Sequence, residues 1–158
     1  MNADKYDFKP FFNANSRVLL VGLFPNEASK RGEFYYNHGR NRFWEVMQGV
    51  FERADLCGNA EAQRRFLEDE DIAICDIIKI YDEKIENAVP NDFYEILRET
   101  QIKKIFVIGS EASGLVERFY PCLKFETLIS SSNTTQQQGY DTPKLIEQYM
   151  AIKKALGK

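Results

Sequence analysis

One stretch of this 158-residue chain gathers the residue types able to act on a ligand. From Phe34 to Trp44 the chain reads Phe-Tyr-Tyr-Asn-His-Gly-Arg-Asn-Arg-Phe-Trp, with Lys30 and Arg31 just upstream. His38 is the only histidine and Trp44 the only tryptophan. Aromatic rings interleaved with cations suit base stacking and phosphate contact. Phe43 and Trp44 stand at helical spacing with later apolar residues, which favours core packing for that pair. Tyr35 to Asn41 is different, because a core has no use for Asn, His and Arg together, and loops carry sites. A connection as long as that from Gly22 to Asn41 is unusual in a compact domain unless it is functional.

The elements that must position these residues follow from the apolar pattern. Four short runs are continuous rather than alternating, as strands buried on both faces are. They are 17–23 (RVLLVGL), 72–77 (IAICDI), 104–108 (KIFVI) and 123–129 (LKFETLI). Between them, helices are predicted over 41–53, 60–68, 91–100, 111–119 and 142–154. The third is opened by Asn91 or Asp92, and the last by Thr142 as cap with Pro143 at the first helical position. Strands alternating with helices predict a three-layer αβα sandwich around a central four-stranded parallel sheet, a single domain spanning residues 1–158. Ligands bind such sheets outside the carboxyl ends of the strands. That rule singles out residues 22–41, 76–90, 109–113 and 130–138.

Composition narrows the function classes. With 44% hydrophobic and 13% aromatic residues, the chain is rich enough in apolar surface to fold. No apolar run approaches a bilayer span, and the first residues lack a signal-peptide pattern, so a cytoplasmic protein is expected. Three cysteines, Cys57, Cys75 and Cys122, with one histidine, make neither a metal set nor a disulfide framework, and are expected to be reduced and buried. The net charge of −3 is unevenly spread: residues 1–50 carry +2, 51–100 carry −8 and 101–158 carry +3. A locally positive surface can therefore form from the two ends of the chain.

Residues 22–44 resemble the signature of the uracil-DNA glycosylase superfamily, closest to its hypoxanthine-DNA glycosylase branch. Gly22, Pro25, Phe34, Tyr35, Tyr36, His38, Arg40, Asn41, Phe43 and Trp44 match in order. The segments from Ala88 to Phe93 and from Ile102 to Phe106 are also similar. Gly39 stands where the branch has Pro. The segment from Lys79 to Asn87 is shorter and more acidic than the branch pattern, and Leu128 to Thr135 keeps the serines but lacks both prolines.

The resemblance implies a DNA glycosylase that hydrolyses the N-glycosidic bond of a deaminated base, hypoxanthine or uracil, after flipping it into a pocket. It implies no cofactor and no metal, DNA with a damaged or mismatched base as partner, no membrane, and a monomer. Asn41 would position the water or stabilise the sugar cation through its carbonyl, and His38 would donate to the departing base. Gly22, Phe24, Pro25, Tyr35, Tyr36, Asp76 and the run Ser130, Ser131, Ser132, Asn133 would bind the substrate. Lys30, Arg31, Arg40 and Arg42 would contact the DNA backbone. An ionised Asp76 would accept from the ring N–H that deamination creates and reject the parent base. Simpler roles compete: Asn41 as a helix cap, His38 as an ordinary loop residue, Phe24 as packing, and Asp76 as a cap or surface carboxylate. A rival of another class is a non-catalytic module that binds nucleotides or DNA on a related or flavodoxin-like fold. If the basic residues hold phosphates, affinity for DNA falls steeply with salt, and Arg40→Ala lowers the slope of log affinity against log salt by about one unit. A flat dependence in the parent protein overturns this and points to a small nucleotide ligand.

Overall fold

The computed structural model describes residues 9–23, 34–37, 41–80 and 89–158. Its elements in chain order are β1 (Val18–Gly22), α1 (Phe43–Phe51), α2 (Ala60–Glu70), β2 (Ile72–Asp76), β3 (Ile78–Ile80), β4 (Val89–Pro90), α3 (Phe93–Arg98), β5 (Lys104–Ile108), α4 (Ser110–Phe119), β6 (Glu126–Leu128) and α5 (Thr142–Ala155). A 3₁₀ helix, Asn133–Gln138, precedes α5.

Four strands form one parallel sheet in the order β2-β1-β5-β6. The expected αβα layering is present, and the strand pleat explains it. Val18 and Leu20 of β1 join Ile72, Ile74, Phe106 and Ile108 beneath α1, α2 and α5. Leu19 and Val21 join Ala73, Cys75, Ile105 and Val107 beneath α3 and α4. With both faces covered, alternation of side-chain direction produces no alternation of polarity. β6 is shorter than the apolar run suggested, because at the sheet edge Glu126 and Thr127 are exposed and only Leu128 is buried.

Three local features depart from the sequence reading. β3 and β4 pair antiparallel as a separate two-stranded sheet, where a loop was expected. α1 begins at Phe43 rather than Asn41. α5 is capped by Asp141, whose side chain accepts from the Lys144 N–H at 3.0 Å, so Thr142 is the first helical residue and not the cap. Among the described residues, no helix is long and apolar enough to cross a membrane. Because one carboxylate holds the start of α5, Asp141→Ala should cost about 1 kcal/mol of stability. The urea midpoint should fall with the denaturant slope unchanged, and an unmoved midpoint would show that the cap contributes nothing.

Candidate active site

Parallel register brings Gly22, the last residue of β1, beside Asp76, the last residue of β2. Both strands then continue into shared hydrogen bonds, from the Ile77 N–H to the Gly22 carbonyl at 2.8 Å and from the Ile78 N–H to the Leu23 carbonyl at 3.0 Å. Tyr36 is laid over this corner. Its ring stacks on Phe43 with centroids 4.4 Å apart, and its backbone takes a left-handed conformation at φ 60°, which costs a non-glycine residue free energy. A Cβ on Gly22 would lie under 3.0 Å from both Tyr36 Oη and Asp76 Oδ1. The absent side chain is what lets the phenol and the carboxyl approach the strand end together.

Asp76 is 4% exposed. Its carbonyl accepts from Asn91 Nδ2 at 2.6 Å, but Oδ2 is buried with no hydrogen-bond partner among the described residues, as is Tyr36 Oη. A buried carboxylate without a donor is strongly disfavoured. Burial accordingly pushes the Asp76 pKa up from 3.8 to about 8. The same burial, then the proximity of Asp76, raises the Tyr36 phenol and the Cys75 thiol above their ordinary ranges. Asp76 is therefore largely a neutral acid near pH 7. The expectation of an ionised, acceptor-only Asp76 is corrected: desolvation keeps its proton on. The cap and surface alternatives also fall away, since the side chain is buried and caps no helix.

The second half of the site joins the start of α1 to the segment after β6. Asn41 bridges Ser132 in antiparallel fashion, and the Arg42 N–H donates to the Ser131 carbonyl at 2.8 Å. Asn41 Oδ1 accepts from the Phe43 N–H at 2.9 Å and from Ser131 Oγ at 2.6 Å. A backbone N–H can only donate, so the atom facing it must be the amide oxygen, and this fixes the orientation of the Asn41 amide. Both oxygen lone pairs are then engaged. The water-accepting or cation-stabilising role expected of this carbonyl is corrected to a donor role for Nδ2, which hydrogen-bonds to none of the described residues. Asn41 does hold a helix-start N–H, as the capping alternative required, while lining a cavity of about 510 Å³ with Tyr36, Asn37, Trp44 and Glu45.

Other expected site residues separate into groups. Ser131 is fully buried against Asn41, whereas Ser132 caps the 3₁₀ helix and Asn133 is exposed at its start. Ser130 Oγ accepts from the Ser132 N–H at 3.2 Å. Tyr35 is not available to a ligand: it is 3% exposed, its hydroxyl donates to the Lys9 carbonyl, and its own carbonyl accepts from Trp44 Nε1. Arg42 is also inside, at 5% exposed, so the phosphate contact expected of it is corrected to contacts within the fold. Phe24, Pro25, Lys30, Arg31, His38 and Arg40 lie outside the described residues. The sequence reading missed Gln63, which exchanges two hydrogen bonds of 2.6 and 2.7 Å with Asn37, the neighbour of His38. Its signal was there: a fully buried Gln three and four residues before Phe66 and Leu67 on the apolar stripe of α2. Of the cysteines expected to be buried, only Cys75 is, while Cys57 and Cys122 are exposed. Among the described residues, no three His, Cys, Asp or Glu are grouped to hold a metal.

A crevice at the carboxyl edge of a parallel α/β sheet, floored by a neutral acid and flanked by an oriented amide, is the framework of an enzyme handling a polar heterocycle. The profile of the uracil DNA glycosylase superfamily matches residues 9–152. The chain belongs to that superfamily, and its class of activity is that of a DNA N-glycosylase. It is similar to a protein of Methanosarcina barkeri (strain Fusaro / DSM 804) named hypoxanthine DNA glycosylase, with 25% identity over 141 residues, covering 84% of this chain and 89% of that one. Its fold is similar to the solution NMR structure of a Methanosarcina acetivorans protein assigned as a uracil DNA glycosylase. That match has a TM-score of 0.72 and 20% identity, over 94% of this chain and 98% of the other.

The raised pKa of Asp76 makes a stability prediction. Between pH 4 and 8 the folded state keeps a proton that the unfolded state has lost, so the stabilisation is full below pH 4 and is lost as pH rises through 8. The slope approaches about 1.4 kcal/mol per pH unit. Asp76→Asn removes that dependence, so the variant should become progressively more stable than the parent from pH 5 to 8. Parallel stability curves for the two proteins would show that Asp76 is ionised in the fold.

Proposed function

We propose that this glycosylase excises hypoxanthine or uracil from DNA, with Asp76 reading the base and Asn41 holding the attacking water. The observation that carries this reading is the buried, unpartnered Asp76 carboxyl at the end of β2. A neutral carboxyl offers an O–H donor and a C=O acceptor side by side. Hypoxanthine and uracil each present a ring N–H next to a carbonyl, so the acid can accept from one and donate to the other. Cleavage sends the electron pair of the N-glycosidic bond onto the departing base and leaves an oxocarbenium-like sugar. Negative charge grows on the base carbonyl as the bond breaks, so the Asp76 O–H bond strengthens in the transition state, the condition for acceleration. Asn41 Nδ2 donates to the oxygen of a water, leaving a lone pair free to bond to the sugar carbon. The amide takes no proton, which passes to solvent once the cation has captured the water. The similarity to a protein named hypoxanthine DNA glycosylase supports hypoxanthine as the first substrate to try.

Single-turnover assays on duplexes carrying hypoxanthine or uracil, beside undamaged adenine and cytosine, test the reading. Excision of a deaminated base is expected, slowing as pH rises through about 8, where the Asp76 proton is lost. Asp76→Asn keeps a donor beside an acceptor at every pH, so it should remain active near pH 7 without the alkaline fall, while Asp76→Leu should be inactive. Asn41→Ala should lose roughly a hundredfold in rate and about 1 kcal/mol of stability, with little change in DNA affinity. Tight binding without excision of any modified base would overturn the catalytic reading in favour of a binding module.

A further inference from the structure

Arg42 has a set of contacts that phosphate binding does not explain. One terminal nitrogen, NH1, donates to the Tyr140 carbonyl at 3.0 Å and to Thr142 Oγ1 at 3.3 Å. The other, NH2, donates to the Ser132 carbonyl at 3.0 Å and to Thr135 Oγ1 at 2.6 Å. No carboxylate pairs with it among the described residues. Thr135 Oγ1 in turn donates to the carbonyls of Ser130 and Ser132. A planar guanidinium thus fastens the 3₁₀ helix, the first residue of α5 and the serine run to a single point. That point is the residue beside Asn41.

We propose that Arg42 is a positioning residue: from inside the fold it holds the segment 130–142 against the start of α1, and so seats the Ser131 hydroxyl on Asn41 Oδ1. This rests on the reading of Asn41 as the holder of the attacking water. Three links make the chain. Arg42 fixes the carbonyl of Ser132 and the hydroxyl of Thr135. The backbone pairing of Asn41 with Ser132 and of Arg42 with Ser131 sets the register between the two segments. The Ser131 hydroxyl, buried and pointed by that register, occupies the second lone pair of Asn41 Oδ1. Without it, that lone pair is open to water and the amide is held by the Phe43 N–H alone, so the nitrogen no longer faces the cavity in one orientation. A displacement of about 1 Å in a positioned group is enough to lose a hundredfold in rate. Lysine cannot replace the fork, since one ammonium cannot reach four acceptors lying on two sides of a plane.

The test uses ¹⁵N-labelled full-length protein, with the Asn41 side-chain amide resonances assigned by their loss in Asn41→Ala. Arg42→Lys, Arg42→Met and the smaller change Ser131→Ala are compared with the parent in three measurements: those resonances, the salt dependence of DNA affinity, and the single-turnover rate at saturating enzyme. Displacement of the Asn41 amide resonances in all three variants is expected, with a rate loss of about tenfold to a hundredfold and an unchanged salt slope. A slope lowered by about one unit with Asn41 unmoved would make Arg42 a phosphate ligand and overturn the proposal. An unmoved Asn41 at full rate in folded variants would overturn it as well. Should the Arg42 variants fail to fold, Ser131→Ala, which removes one hydroxyl, decides by the same criteria. If the parent excises no base, the glycosylase reading fails, while the amide resonances still report on the positioning.

Discussion

The site depends on a register: the parallel pairing that ends β1 on Gly22 beside the end of β2 on Asp76. Strand pairing is cooperative and its register is specified by core packing on both faces, so this juxtaposition is enforced by residues far from the ligand. Val18, Leu20, Ile72 and Ile74 on one face, and Leu19, Val21, Ala73 and Cys75 on the other, leave no alternative slip that keeps all of them buried. Fixed in this way, a carboxyl can be kept dry. Desolvation then sets its proton affinity, and the phenol of Tyr36 closes the corner that the missing Gly22 side chain leaves open.

The cost of this arrangement is local and visible. Two buried polar atoms, Tyr36 Oη and Asp76 Oδ2, go without partners, and Tyr36 occupies a left-handed conformation unfavourable to a side-chain-bearing residue. Groups left unpaired in this way cost on the order of 1–3 kcal/mol each when no partner arrives. The sheet and its two apolar layers absorb that cost, and the aromatic cluster of Phe34, Tyr35, Phe43 and Trp44 holds the strained turn from behind. Stability is spent where the ligand must bind and is recovered in the core.

The fold was legible because its signal is repeated: four continuous apolar runs, each followed by a turn and a helical pattern, specify a parallel sheet between two layers. The antiparallel pair β3 and β4 was not, because two short strands, one ending in proline, carry no periodicity to read. At the site, residue types were informative where chemistry is rare in cores, as with Asn41 and Asp76. Side-chain direction was not. Nothing in the sequence of Asn41-Arg42-Phe43 tells that the arginine turns inward, because its acceptors are backbone carbonyls and hydroxyls 90 to 100 residues away. Likewise the protonation of Asp76 arises from burial by distant elements, and a sequence gives the carboxyl its ordinary value. Tyr35 and Tyr36 are adjacent and identical in type, yet one ties down backbone inside and the other covers the strand end.

The turning of neighbouring residues to opposite sides at Asn41 and Arg42 limits how the chain can vary in length. Inserting or deleting one residue between Asn41 and Phe43 would exchange their directions, sending the guanidinium toward the cavity and the amide into the carbonyls of Ser132 and Tyr140. The two-residue junction between the last site residue and the first residue of α1 therefore admits no indel. The segment from Ser131 to Thr142 is bound by the same constraint, since Arg42 measures the spacing between Ser132, Thr135, Tyr140 and Thr142 at once. Relatives of this chain with the same junction should keep that spacing, and length differences among them should fall elsewhere in the chain.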